Sequence, residues 1–340
     1  MKRRISLPFF FAMAGCRNRC VYCDQARITG NWTAPSPEEV KQRLEKLDSP
    51  VEIGFFGGSF TCLTPELADS YLEATAAAPP GSTLRLSTHP LCLTTEAIRR
   101  LKGMTRATCP VSCVEVGISS LDDEVLEACS RGYTAREALR AVERLLQENL
   151  HAGVQLMIGL PGQTPDSTFH DLRMLARLKG PRSMDLRIYP CLVLKGTPLE
   201  SLWESGRFSP LQTEEAAQWA GSLMVEALDL GFEILRVGLT ETDSLSASVK
   251  AGPHHSAFGE LARGECLARL LIRNSAGGPW VIERRRGSLV LGHGKRGIRR
   301  LAELSGQTAL EAALRLAFWP EPERPAKRYR RQVDNPKNEL

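Results

Sequence analysis

Cys16, Cys20 and Cys23 fall within eight residues, in the run Cys16-Arg-Asn-Arg-Cys20-Val-Tyr22-Cys23. Three thiolates so spaced can hold three irons of a cubane 4Fe–4S cluster and leave the fourth iron without a protein ligand. An open coordination position is where a metal site does chemistry rather than architecture. A zinc knuckle is the competing reading, but zinc takes four ligands and no fourth Cys or His follows closely after Cys23.

Other segments could surround such a centre. Gly57-Gly58-Ser59-Phe60-Thr61 follows an apolar run, and backbone without side chains lets a ligand approach closely. By itself it reads equally well as a turn. Gly159-Leu-Pro-Gly162-Gln163-Thr164 follows Gln155-Leu-Met-Ile158 in the same way, and it is also a turn before a helix. Ser87-Thr88-His89-Pro90 and Glu115-Val-Gly117 end two more runs. Glu115 is expected to accept ligand hydroxyls or to pair with an arginine such as Arg131. His89 is a candidate general acid or base, or a hydrogen-bonded structural histidine. Cys62, Cys92, Cys109, Cys113, Cys129, Cys191 and Cys266 are scattered, so they read as ordinary core residues rather than a second cluster. Among them Cys191, just past the sixth apolar run, is the candidate for a radical-relay or substrate-contacting thiol.

The elements that must position these groups alternate regularly. Strands are expected near Ile5–Ala14, Val51–Phe56, Thr83–Thr88, Cys113–Ile118, Gly153–Ile158 and Asp185–Pro190. Amphipathic helical patterns lie between them, as at Ser36-Pro-Glu-Glu, which looks like an N-cap. Six βα units imply a parallel sheet with right-handed crossovers. Six cannot close an eight-stranded barrel, so the expected fold is α/β, an open (β/α)6 partial TIM barrel with reactive groups at the strand C-termini. A loop over Cys191–Thr197 and a strand near Ile234–Leu239 follow. Beyond them come short strands at Trp280–Glu283 and Ser288–Leu291 and a helix near Ile298–Leu304.

The chain has 340 residues, 42% hydrophobic and 24% charged, as in globular proteins. No run of about 18 apolar residues is present, so no membrane span is expected. Thiols kept free for an oxygen-sensitive cluster suit a reducing cytoplasm. Residues 236–340 carry 19 Lys/Arg against 11 Asp/Glu, a net of +8, while the whole chain is only +5. The expected organisation is a core domain over 1–235, a basic C-terminal domain over 236–320 and a flexible basic tail over 321–340.

Cys16–Cys23, Gly57–Thr61, Val114-Glu115 through Val125, Arg131-Gly-Tyr-Thr134 and Leu156-Met-Ile-Gly-Leu-Pro-Gly162 together resemble the radical S-adenosylmethionine (SAM) domain of the elongator catalytic subunit and its short bacterial relatives. The Gly-Leu-Pro-Gly-Gln-Thr segment is equally similar to oxygen-independent coproporphyrinogen oxidases. The resemblance covers about residues 5–235. The spacing of the cysteines is tighter than in the elongator subunit, and the chain lacks the length for that subunit's acetyltransferase domain.

The resemblance implies a 4Fe–4S cluster on Cys16, Cys20 and Cys23 that cleaves SAM to a 5′-deoxyadenosyl radical, which abstracts hydrogen from a substrate. It places Gly57, Gly58 and Ser59 on the methionine moiety, and Tyr22, Ser87, Glu115, Gln155, Ile158 and Gly159 on the nucleoside. It implies an electron donor such as flavodoxin or ferredoxin. The basic excess favours a structured RNA, tRNA or rRNA, held by Arg284, Arg285, Arg286, Lys295, Arg296, Arg299 and Arg300 around a Gly-x-x-Gly turn. A small metabolite or porphyrin-like substrate, or a non-catalytic iron–sulfur RNA-binding protein, are the alternatives.

Overall fold

The computed structural model describes residues 5–104, 109–292 and 295–319. Its strands are β1 (Ile5–Phe10), β2 (Val51–Phe56), β3 (Thr83–Thr88), β4 (Val111–Ser119), β5 (Ala152–Ile158) and β6 (Asp185–Pro190). They continue with β7 (Val193–Leu194), β8 (Glu233–Val237), β9 (Val249–Ala251), β10 (Trp280–Glu283) and β11 (Leu316–Trp319). Early helices are α1 (Gln25–Thr29), α2 (Pro37–Glu45), α3 (Pro65–Ala74), α4 (Thr95–Met104), α5 (Asp123–Ala128), α6 (Ala135–Gln147) and α7 (Pro165–Lys179). Later ones are α8 (Pro198–Glu204), α9 (Thr213–Asp229), α10 (Asp243–Ser248), α11 (Phe258–Asn274), α12 (Gly287–Leu291), α13 (Arg296–Ser305) and α14 (Ala309–Leu314).

Seven strands pair in parallel in the order β1-β2-β3-β4-β5-β6-β8, forming the open, curled partial barrel expected. The strand expected near Ile234–Leu239 is its seventh member. One face is dry: Phe9, Ile53, Phe55, Leu84, Leu86, Val114, Val116, Val154, Leu156, Leu186 and Ile188 are buried. Alternate residues face the lumen instead, among them Ser6, Glu52, Arg85, Ser87, Glu115, Gln155, Arg187 and Tyr189. This two-residue period is unusual for a parallel sheet, whose strands are normally apolar on both faces. It marks a sheet with a polar interior.

Helix starts follow their sequences. Ser36, Thr134 and Thr164 cap α2, α6 and α7 with reciprocal capping boxes, and proline opens α2 and α7. Near the first two strands Phe11, Phe55, Phe60 and Tyr71 meet with centroids 4.8–6.3 Å apart. Each such pair is worth about 0.5–1.5 kcal/mol beyond area burial, which anchors the turn after β2.

Four sequence expectations change. Strand β1 stops at Phe10 rather than Ala14, because Ala12 and Met13 take positive φ and turn the chain. Within the Cys191–Thr197 loop, β7 pairs antiparallel with β9. Residues 288–291 belong to a helix, not a strand: burial recurs at Gly287 and Val290, a helical step. Cys62 and Cys92 form a disulfide rather than remaining free thiols.

Contacts divide the chain after Cys266 into two compact units. The second has its own core of Leu267, Leu271, Trp280, Ile282, Val290, Ile298 and Leu301. His293 and Gly294 of the expected Gly-x-x-Gly turn, and the tail over 321–340, lie outside the described residues.

Candidate active site

The loops leaving the C-terminal ends of the strands meet around one chamber of about 1240 Å³. Cys16, Cys20 and Cys23 all line it. Their loop is stitched to the turn after β2 by main-chain hydrogen bonds: Met13 N–H to Gly57 O at 2.8 Å and Ser59 N–H to Ala14 O at 2.9 Å. The approach is close enough to require glycine. A Cβ on Gly58 would lie 2.5 Å from the Ala14 carbonyl, and one on Gly15, where φ is +75°, would lie 2.3 Å from the Ser59 carbonyl. The cysteine loop and the glycine loop are thus one construction.

Around the sulfurs the groups are specific. Ser59 Oγ lies 3.6 Å from Cys16 Sγ, and Gln25 Nε2 lies 3.6 Å from Cys23 Sγ. Arg131, buried, donates from Nη1 to Cys20 Sγ at 2.9 Å, from Nε to Tyr133 Oη at 2.9 Å, and from Nη2 to the Gly117 carbonyl. Tyr22 is buried, with its hydroxyl 2.8 Å from Ser119 Oγ. Burial first, then neighbouring Cys20, pushes the Cys23 thiol up to about 12. Metal loading there must therefore release a proton.

A second cluster fills the middle of the lumen. Glu115, 1% exposed, accepts from Arg85 Nη1 at 3.0 Å, Arg187 Nη2 at 2.7 Å and Gln155 Nε2 at 2.8 Å. Arg85 also reaches Glu52 and Asp185, and Gln155 reaches Ser87 Oγ at 3.2 Å. The strand register explains the grouping, since Ser87 is paired with Glu115 and Gln155 with Arg187. Glu115 does bind arginine, but Arg85 and Arg187 rather than Arg131.

The predicted site residues divide accordingly. Cys16, Cys20, Cys23, Tyr22, Gly57, Gly58, Ser59, Ser87, Glu115 and Gln155 share the chamber wall. Ile158 is buried on the dry face, and Gly159 packs against Leu211, so Met157 is the lining residue at that end of β5. His89 lines the chamber with both ring nitrogens engaged: Nδ1 accepts from Leu91 N–H at 3.3 Å, and Nε2 donates to the Arg131 carbonyl at 3.2 Å. Burial, then Arg131, lowers its pKa to about 4, so the ring is neutral. Cys191 does not face the lumen. Past β6 the side chains of Pro190, Leu192 and Leu194 do, which turns Cys191 into an apolar cluster with Val21, Tyr22, Leu160 and Val193.

Sequence reasoning missed Arg85, Arg187 and the thiol contact of Arg131. The available signal was an arginine set between aliphatic neighbours within a strand, as in Leu84-Arg85-Leu86 and Leu186-Arg187-Ile188.

In the second unit, Arg284, Lys295 and Arg299 are exposed. Arg285 and Arg286 pair with Glu283, and Arg300 pairs with Glu303. Arg296 begins α13.

These donor types fit a 4Fe–4S cluster with SAM beside it: three unbridged thiols at one chamber wall, a cradle that a Cβ at Gly58 would fill, and a buried guanidinium aimed at one sulfur. Comparison with known proteins bears on the same point. Elongator complex protein 3 of Drosophila melanogaster is 29% identical over 259 residues, covering 68% of this chain and 43% of that protein. The tRNA uridine(34) acetyltransferase of Methanocaldococcus jannaschii is 26% identical over 204 residues, covering 54% and 38%. The chain thus spans less than half the length of these curated relatives. The structure of Methanocaldococcus infernus Elp3 with an N-terminal deletion shares the fold, with a TM-score of 0.60 at 20% identity, covering 79% of this chain and 65% of that one. Residues 11–175 match the Radical SAM superfamily domain and residues 185–267 the Radical_SAM C-terminal domain, and the chain accordingly belongs to the radical SAM superfamily, whose enzymes use a 4Fe–4S cluster and SAM.

Proposed function

We propose that this enzyme modifies a structured RNA, tRNA or rRNA. The observation that carries the reading is the name of its relatives, a tRNA uridine(34) acetyltransferase among them. The net +8 of residues 236–340 supports it independently, since phosphate contacts dominate RNA affinity.

When bound, the cluster would supply the one electron needed to split SAM into methionine and a 5′-deoxyadenosyl radical able to take a hydrogen atom from the substrate. The chain's own groups position and insulate that chemistry. Cys16, Cys20 and Cys23 would ligate three irons, and the N–H of Arg131 would offset charge on the Cys20 sulfur. Gly57, Gly58 and Ser59 offer main-chain groups to the methionine end of SAM. Tyr22, held by Ser119, and the Ser87–Gln155–Glu115 set wall in the nucleoside. A small carrier such as flavodoxin or ferredoxin delivers the electron. Arg284, Lys295 and Arg299, exposed on the second unit, are the leading phosphate contacts, with Arg285, Arg286, Arg296 and Arg300 beside them in sequence.

Two measurements test this. Anaerobically reconstituted protein with dithionite and SAM is expected to release 5′-deoxyadenosine, and Cys20→Ala to lose the iron chromophore. Mass spectrometry of bulk RNA nucleosides, with and without the protein in cells, is expected to reveal one missing modification. No tRNA binding at low salt, with 5′-deoxyadenosine still formed, would remove RNA and leave a small-molecule substrate.

A further inference from the structure

Arg187 on β6 and Arg236 on β8 are paired residues of neighbouring strands, and both line the chamber. Like charges set opposite one another weaken a sheet. Here a third positive charge joins them, because Arg263 of α11 lines the same wall. The juxtaposition is built in. A Cβ on Gly259 would lie 2.6 Å from the Val237 carbonyl, so its absence seats the start of α11 on the end of β8. Arg263, one turn further along the helix, then falls beside Arg236. Burial, followed by the charges of Arg187 and Arg263, lowers the pKa of Arg236 against the pull of Tyr189.

Among the described residues one carboxylate, Glu115, meets this group, through Arg187 alone, and none pairs with Arg236 or Arg263. Arg187 spends Nη2 on Glu115, which also serves Arg85, while its Nε is buried with no hydrogen-bond partner. Arg236 donates from Nε to the Gly238 carbonyl at 3.1 Å, and among the described residues neither Arg236 nor Arg263 has an ion-pair partner. Deeper in the lumen Glu52, Glu115 and Asp185 are already paired with Arg85, Arg187 and His151. Arg236 and Arg263 are left as two uncompensated charges.

We propose that Arg236 and Arg263, with the charge of Arg187 behind them, form the substrate's anion subsite and receive a phosphate group. A carboxylate carries one charge and satisfies one guanidinium fork. Phosphate oxygens can meet two forks at once, which is the pairing in which arginine excels. The subsite rests on the reading of this chamber as the place where substrate meets SAM.

The test is calorimetric titration of inorganic pyrophosphate into cluster-reconstituted, SAM-loaded protein at low ionic strength. Binding is expected, and Arg236→Gln and Arg263→Gln should each weaken it by about tenfold or more, as loss of a charge-assisted hydrogen bond does. Arg236→Lys, which keeps the charge without the fork, should fall between. Arg263 is half-exposed on a helix, so its variant reports even if the Arg236 variants fold poorly. Displacement of pyrophosphate by uridine 5′-monophosphate would identify a monoester, and by the dinucleotide UpU a diester within a chain; either supports the subsite. Pyrophosphate that fails to bind, binds the double Gln variant equally well, or is unaffected while SAM affinity falls would overturn it. Release of 5′-deoxyadenosine is read separately, and its absence would sink the radical reading rather than the subsite alone.

Discussion

Glu115→Gln separates scaffold from ligand at the centre of the lumen. The carboxylate is 1% exposed and accepts three hydrogen bonds, two of them from guanidiniums at 3.0 and 2.7 Å. An amide in its place offers one acceptor oxygen and turns two N–H groups towards donors already in position. Removing one partner of a buried ion pair costs about 3–5 kcal/mol. That is a large part of the roughly 5–15 kcal/mol that holds a domain together. At roughly 2–4 °C per kcal/mol for a domain of such size, the melting temperature should fall by roughly 6–20 °C. The assay is anaerobic calorimetry on protein stripped of cluster and SAM, so that ligand binding cannot contribute. The double variant Glu115→Gln with Arg187→Met should recover part of the loss, because it removes one of the stranded charges. A shift below about 2 °C, accompanied by lost SAM affinity, would refute the scaffold argument and make Glu115 a ligand contact only.

Arg131→Met removes the N–H directed at Cys20 Sγ. A hydrogen bond of about 1.5 kcal/mol corresponds to about 60 mV in a one-electron couple, so the cluster midpoint should drop by that order in a redox titration; an unchanged midpoint contradicts the contact. The hydrogen bond that His151 Nε2 donates to the Asp185 carboxylate raises the pKa of His151 above its ordinary value, against burial. Its share of stability is therefore complete below about pH 6.5 and is lost as pH rises through the raised folded value. His151→Gln should flatten urea-derived stability between neutral and alkaline pH, and a parallel slope in both proteins would exclude the pair as its source. Alkylation of unfolded protein without reductant should modify the eight cysteines outside the bridge and spare Cys62 and Cys92. Ten modified cysteines would rule out the bridge.

The sheet was readable because apolar runs recur with helical patterns between them, and the cysteine loop because thiol spacing is chemistry in itself. What escaped depended on partners distant in sequence. Cys62 and Cys92 meet because they follow adjacent strands, β2 and β3, and nothing local marks either one. Cys191 looked exposed to substrate because it follows a strand, but side-chain parity past Pro190 turns it away. His89 carries no sign in its own segment that Arg131 will occupy one of its nitrogens. The strand over Glu233–Val237 was visible, but its place as the seventh parallel strand depends on register with β6.

The hydrogen bonds that hold Met13 and Ala14 against the turn after β2 run between peptide groups. Those bonds do not use the side chains of Ala12, Met13 and Ala14, although positive φ at Ala12 and Met13 disfavours β-branched residues there, whereas any side chain at position 15 or 58 would push the two segments apart. The metal's address is written in the main chain, and the chemistry around it is free to vary while the address stays fixed.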